Sequence, residues 1–479
     1  MDPIDASIAE MNALPPSASP ASASSTTSMS SLYRKPCQES TGLPVRRRSV
    51  LPVLAACGAS GAFPAWPASG WRIDDAALRQ RMADAALRIA RGHIRGGADD
   101  PTYKRPFVDA AFSSGIFYWD TCFIATYAKY HQDELPIANA LDNFYERMDD
   151  DGHIGREYLA DGSPMWPKEH PVSVNPPLLA FAELELYGER PDPVRLQRVY
   201  PVLRKHYSYL RRRFRMADGL YFSDAFGSGM DNIPRYPDGW EDDGRGITLK
   251  LLRPDLFVYD GLSPAWNVQG RSVDFSAQMA LFAEQLAAIA VIIGRPQDQT
   301  QLLRLRAQDV EAINRHCWDP ADGCYYDLAY GKRIRRQHIG QFWTLMAGVA
   351  TPSQARRLMA HLVNPTKFWR RMPVASWPAD QAGYSQRGDY WLGSVWAPTN
   401  TMVLRSLRRY GQHALARRLI RDCFEGVAEV FERTGTFPEN YAPDWAEAGI
   451  PSKTDFCGWT GIFPLAWARE WPLEGLAAA

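Results

Sequence analysis

Two widely separated carboxylates, Asp231 and Glu439, are the residues of this chain with the clearest chemical potential. Asp231 lies in the segment 228–235, which reads Ser-Gly-Met-Asp-Asn-Ile-Pro-Arg. Gly229 permits unusual backbone angles and Pro234 prevents helix continuation, so we expect a loop at this position. Glu439, in Thr-Phe-Pro-Glu-Asn-Tyr, lies in a second loop interrupted by proline. A pair of separated carboxylates is what glycoside hydrolysis requires.

Each of the two acids also has a purely structural interpretation. Most loop aspartates only accept hydrogen bonds in Asx turns, and most loop glutamates are solvated. As a general acid, Asp231 would have to hold a proton near neutral pH, which requires burial or a neighbouring negative charge. Arg235 would oppose this if it paired with Asp231 directly, so we expect Arg235 to face substrate or another acid.

A third candidate, Asp120, stands in Phe-Tyr-Trp-Asp-Thr immediately before a predicted helix. In the structural interpretation Asp120 is the N-cap of that helix, and Tyr118 and Trp119 pack in the core. In the functional interpretation the carboxylate accepts hydrogen bonds from two sugar hydroxyls while the Trp119 indole lines the sugar ring. The sequence favours neither interpretation over the other.

Aromatic residues cluster at a further helix entry, where Tyr390, Trp391 and Trp396 surround Gly393. Core packing would explain one of the tryptophans, but two of them beside a glycine that allows close approach favour a sugar-binding wall. Asn175 precedes Pro-Pro at another rigid helix entry, which is either a pocket rim or a turn.

The segments between these candidates show helical periodicity, beginning with Leu78, Met82 and Ile89 after Asp74. Further predicted helices lie near 121–131, 136–149, 177–187, 192–214, 274–294, 297–318, 337–348, 352–363, 397–410, 412–433 and 460–470. Strand-like alternation is scarce, and short connections such as Arg295-Pro296 predict antiparallel helical hairpins. Six such pairs can close into an all-α double-layered (α/α)6 toroid. The longest predicted loop, about 215–273, contains Asp231.

Composition excludes several classes of function. The 479 residues are 46% hydrophobic and contain 54 Lys plus Arg against 54 Asp plus Glu, so no net charge favours nucleic acid as a partner. The 16 tryptophans suit a small saccharide partner. Histidines show no metal-ligand spacing, and we predict neither a metal nor a cofactor. Apart from the N-terminal segment, no run has the 18 uncharged apolar residues of a membrane span.

The first seventy residues differ in kind from the rest, so we divide the chain into an N-terminal segment, 1–70, and a catalytic domain, 71–479. Residues 1–43 are rich in Ser, Ala, Pro and Thr, and we expect disorder there. Arg46, Arg47 and Arg48 precede an apolar run at 50–68 that resembles a twin-arginine export signal, and Cys57 matches a lipoprotein anchor. Both interpretations predict export to a bacterial periplasm. The alternative is a basic low-complexity tail, because the polar stretch before the arginines is unusually long; a true start at Met29 would shorten that stretch.

In this order the motifs resemble glycoside hydrolase family 63 and the trehalases, most closely the bacterial mannosylglycerate and glucosylglycerate hydrolases, over residues 75–472. The resemblance implies an (α/α)6 toroid and an inverting α-glycosidase, with Asp231 as general acid and Glu439 as general base. It also implies sugar contacts from Trp119 and Asp120. The remaining predicted substrate contacts are Tyr118, Asn175, Arg235, Tyr390, Trp391, Trp396 and Tyr441.

Two other classes of function stay open on sequence alone. A sugar epimerase or isomerase on the same toroid would need a pair of histidine bases, whereas His170, His206 and His338 are scattered. A saccharide-binding protein derived from a hydrolase would bind sugar without turning it over. No prediction of oligomeric state follows.

Overall fold

The computed structural model describes residues 73–110, 114–166, 168, 174–223, 227–235, 270–456 and 458–471. The predicted export signal, the lipid-anchor candidate Cys57 and the helix entry at His170 lie outside these ranges, as does much of the predicted loop 215–273. The helices of the described ranges are α1 (Ala76–Gly92), α2 (Tyr118–Ala128), α3 (Ile137–Glu146), α4 (Leu179–Glu189), α5 (Pro193–Phe214), α6 (Val273–Ile292), α7 (Pro296–His316), α8 (Trp343–Met346), α9 (Pro352–Leu362), α10 (Ala397–Arg409), α11 (His413–Thr434) and α12 (Ala468–Glu470).

Short 3₁₀ turns occur at Lys129–His131, Ile339–Phe342 and Trp459–Gly461, and a π-helical turn spans Ile462–Trp467. Strands are two residues long: β1 (Ile94–Arg95), β2 (Phe107–Val108), β3 (Ile116–Phe117), β4 (Glu157–Tyr158), β5 (Gly270–Arg271), β6 (Trp318–Asp319), β7 (Cys324–Tyr325), β8 (Leu328–Ala329) and β9 (Lys332–Arg333). They pair antiparallel as β1–β2, β3–β4, β5–β8–β9 and β6–β7. These pairs fasten connecting segments to one another and form no core sheet.

The most deeply buried helices form a closed inner ring. α2 contacts α4, α4 contacts α6, α6 contacts α8 and α8 contacts α10; the segment 459–467 then contacts both α10 and α2 and closes the circle. Every residue of α2 and all but three of α6 are buried, because these helices are apolar around their circumference. By length and composition α6 could cross a membrane, but it lies in the ring and 83% of its apolar window is buried.

The other long helices pack outside this ring and are amphipathic. α5 and α11 bury one stripe of apolar residues each, as expected for helices with one face in solvent. Each long hairpin turns within three residues: Gly294 and Gly411 adopt left-handed φ angles of 73° and 70° after α6 and α10, and Asp192 caps α5. An inner and an outer layer joined by such hairpins are an (α/α)6 toroid, as the sequence predicted.

Three predicted helices differ in detail from those observed. The predicted helix at 337–348 is a 3₁₀ turn followed by α8, and it ends where Gly348 adopts a φ of 62°. The predicted helix at 460–470 contains Pro464, which lacks a backbone N–H, and winds as a π turn instead. α2 begins at Tyr118, with Phe117 as N-cap, so the interpretation of Asp120 as the N-cap is wrong.

Candidate functional site

The segment 227–235, called here the Asp231 loop, packs directly against the start of α2. Gly229 has a φ of 75°, which confirms the unusual backbone expected there. A Cβ atom at Gly229 would lie 3.3 Å from the Trp119 indole. Glycine therefore allows the backbone beside Asp231 to approach the face of Trp119, and it joins two of the predicted motifs.

Glu439 is buried, with 3% of its surface exposed, in the loop that precedes the ring segment 459–467. Its Oε1 accepts a hydrogen bond of 3.2 Å from the Tyr390 hydroxyl, and its Oε2 accepts one of 3.1 Å from the backbone N–H of Lys453. Burial raises the pKa of Glu439 from 4.5 to about 7, the two hydrogen bonds oppose this, and the charge of Asp231 adds to the rise. Glu439 can therefore exchange a proton near neutral pH.

The three candidate carboxylates all act on the Tyr390 hydroxyl, Glu439 through a hydrogen bond and Asp231 and Asp120 through their charges. Burial raises the pKa of Tyr390 well above its usual value, and the charges of Glu439, Asp231 and Asp120 each raise it further. These acids come from three parts of the chain, at the start of α2, in the Asp231 loop and before Trp459. The fold has brought them together at the end of the ring where α2, α10 and the segment 459–467 begin.

Trp119 and Asp120 carry buried polar atoms that have no hydrogen-bond partner among the described residues, namely the indole Nε1 and the carboxylate Oδ1. Burial raises the pKa of Asp120 well above its usual value, and the charges of Glu157 and Glu439 raise it further. Unsatisfied buried donors and acceptors are costly unless water or a ligand completes them. An adjacent donor and acceptor can serve two hydroxyl groups of one sugar ring.

Trp391 and Trp396 form a stacked pair with ring centroids 4.1 Å apart and an interplanar angle of 2°. The two tryptophans are 1% and 0% exposed, and the Tyr390 ring stands edge-on against Trp396 at 4.9 Å. The pair was predicted as a sugar-binding wall. The pair also forms a platform against which the Tyr390 ring rests, and its predicted contact with sugar stays a prediction.

Arg235 is buried and pairs with two aspartates, and its predicted contact with substrate stays a prediction. Its guanidinium, 2% exposed, binds Asp274 at 2.6 and 2.8 Å and Asp327 at 2.9 and 3.0 Å. Burial acts to raise the pKa of Asp327, but Arg235 and then His338 outweigh it, and the pKa is lowered. The expectation that Arg235 faces another acid is correct, and the two bidentate pairs anchor the end of the Asp231 loop.

Three further predicted contacts are also buried. The Tyr118 ring packs among core residues, beside Phe144 and His206, and its predicted contact with substrate stays a prediction. Tyr441 forms an antiparallel bridge with Val395, and its ring contacts Phe463. Asn175 is 4% exposed just before α4, and its role stays a prediction.

Several residues that hold the site together were missed from the sequence. Asn232 links the Asp231 loop to the backbone around Tyr390, and the Trp459 indole donates to the Glu439 carbonyl at 2.9 Å. No short-range pattern marks these residues, although Asn232 stands beside a candidate acid. Within the described ranges, no three His, Cys, Asp or Glu side chains are grouped to hold a metal ion.

Comparison with known sequences connects this geometry to a family. The family model described as "Mannosylglycerate hydrolase MGH1-like glycoside hydrolase domain" matches residues 114–460. An uncharacterized protein of Borreliella burgdorferi is 22% identical over 349 residues, which cover 72% of this chain and 63% of that protein. A periplasmic trehalase of Xanthomonas campestris pv. campestris is 24% identical over 457 residues, covering 85% of this chain and 75% of the trehalase. The chain thus spans less than two thirds of the Borreliella relative.

Solved structures share the toroid. A mannosylglycerate hydrolase of glycoside hydrolase family 63 from Thermus thermophilus, in complex with glucose, superposes with a TM-score of 0.63 at 21% identity. The superposition covers 81% of this chain and all of that one. The neutral trehalase of Saccharomyces cerevisiae superposes with a TM-score of 0.56 at 16% identity, over 82% of each chain. At these identities the likeness shows the fold.

Proposed function

Because the chain belongs to the mannosylglycerate hydrolase MGH1-like glycoside hydrolase family, we propose that it hydrolyses a small α-linked glycoside with inversion at the anomeric carbon. The observation that carries this proposal is the grouping of the three acids around Tyr390: its hydroxyl donates to Glu439, the neighbour of Asp231 holds its backbone on both sides, and Gly229 lies against the Trp119 indole beside Asp120. Inverting hydrolysis needs one carboxyl group to protonate the leaving oxygen and a second to activate water on the opposite face. The third carboxylate is then available to hold the sugar.

In this proposal Asp231 donates the proton to the departing glycosidic oxygen; a protonated Asp231 carries no charge, so in the reactive form burial, the largest cause, is what keeps the pKa of Glu439 raised. Glu439 removes a proton from the attacking water, and its bonds from Tyr390 and the Lys453 backbone keep the carboxylate oriented. The Trp119 indole N–H and the Asp120 carboxylate bind sugar hydroxyls, which would satisfy the two buried polar atoms. Hydroxyl donors would also favour the ionised form of Asp120, opposing the effect of burial on its pKa.

The pH dependence of turnover should report the environment of Glu439. A general base acts only when it is ionised, and the pKa of Glu439 is raised from 4.5 to about 7. We therefore expect kcat/KM to rise with pH along an acid limb centred near 7. Measuring kcat/KM between about pH 4 and pH 9 checks this expectation. An acid limb centred near 4.5 would mean that a solvated carboxylate, and not Glu439, is the base.

The substrate candidates are small neutral or acidic glycosides. The relatives include a mannosylglycerate hydrolase and trehalases, which supports mannosylglycerate and trehalose, and we add glucosylglycerate from the sequence resemblance. Incubating the purified protein with each compound and measuring released monosaccharide tests the proposal, with Glu439→Gln as the inactive reference. Saccharide binding without release from any α-glycoside would instead favour a binding protein derived from a hydrolase.

We also propose that the protein is exported to the periplasm. The arginines at 46–48 before an apolar run and the periplasmic location named for the trehalase relatives support export. Lipidation at Cys57 is a second possible outcome of the same signal, and it would leave the domain attached to a membrane surface.

A further inference from the structure

One buried amide, Asn232, connects the loop that carries the proposed acid to the loop that carries Tyr390. Its Nδ2 donates a hydrogen bond of 2.9 Å to the carbonyl of Asp389, and its Oδ1 accepts one of 2.8 Å from the N–H of Trp391. The side chain is 2% exposed. A single amide therefore holds the backbone on both sides of Tyr390, and it is the residue directly after Asp231.

The backbone that Asn232 holds is in an unfavourable conformation. Asp389 and Tyr390 have φ angles of 38° and 61°, in the left-handed region that side chains other than glycine rarely adopt. Such a conformation persists only where surrounding contacts over-determine it. The contacts here include the two bonds to Asn232, one of 3.0 Å from the Tyr390 N–H to the carbonyl of Ile450, one of 3.2 Å from the Leu392 N–H to the carbonyl of Asp389, and one of 3.3 Å from the Trp396 indole to the carbonyl of Tyr390.

This unusual turn directs the Tyr390 side chain toward the proposed base. The hydroxyl reaches Oε1 of Glu439 at 3.2 Å, and the ring rests edge-on against Trp396. If the turn relaxed, the ring would leave the platform and the bond to Glu439 would break. The geometry of the Asp231 loop and the hydrogen bonding of Glu439 are thus linked through Asn232, which holds the turn, and Tyr390, which donates to Glu439.

We propose that Asn232 is a positioning residue that couples the Asp231 loop to the hydrogen bond between Tyr390 and Glu439. Asn232 touches no reacting atom, and the proposal rests on the roles proposed above for Asp231 and Glu439. It assigns the amide the task of setting how the acid and the base stand relative to each other. A displacement of either loop then changes the positions of both Asp231 and the Tyr390 hydroxyl that binds Glu439.

Four titratable groups bear on the test, because they act on Glu439 or on the Tyr390 hydroxyl. Tyr390 and the Lys453 backbone lower the pKa of Glu439 by hydrogen bonding, Asp231 raises it by charge, and the Lys453 ammonium lowers it. Asp120 acts through its charge on the Tyr390 hydroxyl, whose pKa it raises. Removing the Tyr390 bond should therefore raise the pKa of Glu439, by about one unit for a hydrogen bond to a charged group.

A double-mutant cycle separates this route from a general loosening of the site. We expect Asn232→Ala to raise the pKa of Glu439 by about one unit, as Tyr390→Phe does, and to leave it unchanged in the Tyr390→Phe background. The pKa is read by ¹³C NMR titration of labelled glutamate carboxyl groups, with the Glu439 resonance assigned by Glu439→Gln. Near-UV circular dichroism should also change in Asn232→Ala, because the Trp391 backbone N–H loses its acceptor. The stacking of Trp391 on Trp396, which contributes to the signal, then shifts.

The matched control is Asn143→Ala, which removes another buried bridging amide. Asn143 is 1% exposed, donates to the Arg105 carbonyl at 3.1 Å and accepts from Arg147 at 3.1 Å, and none of the three acids is among these partners. It should cost stability without moving the pKa of Glu439 or the tryptophan signal. If Asn232→Ala does not fold, Asn232→Ser gives the same cycle, since the serine hydroxyl is too short to reach both the Asp389 carbonyl and the Trp391 N–H.

Equal shifts in both backgrounds would assign the effect to a displaced Asp231 and overturn the proposal, and so would an unchanged pKa in a folded Asn232 variant. The titration follows a carboxyl group and does not require turnover. It therefore remains readable if Glu439→Gln retains full activity, which is the result that would overturn the proposed function alone.

Discussion

Glu439→Gln is expected to lower kcat on the natural α-glycoside by about 10³-fold, within the range that general base catalysis contributes. The amide has the shape of the carboxylate: its oxygen can accept from the Lys453 N–H while its NH2 donates to the Tyr390 hydroxyl, so the fold and the site keep their geometry. It cannot take a proton from water. Steady-state kinetics should show the loss in kcat, with KM little changed, because the base acts on water and not on the bound sugar.

The matched control for this prediction is Glu447→Gln in the same C-terminal segment. Glu447 is largely exposed and pairs with the exposed Arg387, so its replacement should leave kcat unchanged. Asp231→Asn offers a second comparison, because a leaving group that needs no proton, such as fluoride, bypasses a general acid. Asp231→Asn should be rescued on an α-glycosyl fluoride, whereas Glu439→Gln should stay impaired on it. Equal activity of Glu439→Gln and the wild type would remove Glu439 from the mechanism.

Arg235→Gln is expected to destabilise the protein by about 3 to 5 kcal/mol, the range for removing one partner of a buried ion pair. The guanidinium satisfies Asp274 and Asp327 with four hydrogen bonds, and both carboxylates would be left in a buried site with one cation fewer. His338, which hydrogen-bonds Asp327 at 3.0 Å, compensates for part of one charge only. The free energy of unfolding, measured by urea denaturation, checks the prediction.

Arg335→Gln is the control for this loss, because Arg335 also pairs with two aspartates, Asp319 and Asp322, but its own side chain is exposed, and the buried Asp319 keeps the backbone N–H groups of Ala321 and Asp322 as donors. Surface pairs contribute about 0 to 1 kcal/mol, so this variant should unfold almost as the wild type does. A cost for Arg235→Gln no larger than that of Arg335→Gln would show that the buried network does not anchor the Asp231 loop.

The (α/α)6 toroid could be predicted because helical periodicity is a local property of the sequence. Gly294 and Gly411 marked hairpin turns for the same reason, since a left-handed residue after a helix is a local requirement. The sequence also distinguishes the helices that line the ring: α2 and α6 bury residues on all sides, whereas α5 and α11 carry a single apolar stripe. The helix of 460–470 was predicted with the wrong winding, because the effect of Pro464 depends on how its neighbours repack.

The candidate site was predicted in its residue types but not in its contacts. The order of the motifs identified Asp120, Asp231 and Glu439 as candidates. That all three act on the Tyr390 hydroxyl could not be predicted, because it depends on contacts between distant loops. Arg235 was expected to face an acid, but its partners could not be named because they lie 39 and 92 positions away. One signal was available: Asp274 interrupts the apolar start of α6, and a buried carboxylate on such a helix requires a cation. The burial of Trp391 and Trp396 had no comparable sequence signal.

The central claim is that Asp231 and Glu439 act on opposite faces of the sugar, and the stereochemistry of the product tests it most directly. Proton NMR of a reaction on an α-glycoside identifies the anomer that forms first, before mutarotation mixes the two forms. An inverting enzyme releases the β-anomer, which is the predicted result. Release of the α-anomer would mean that a carboxylate attacks the sugar to form a covalent intermediate, and it would contradict the roles proposed for both acids.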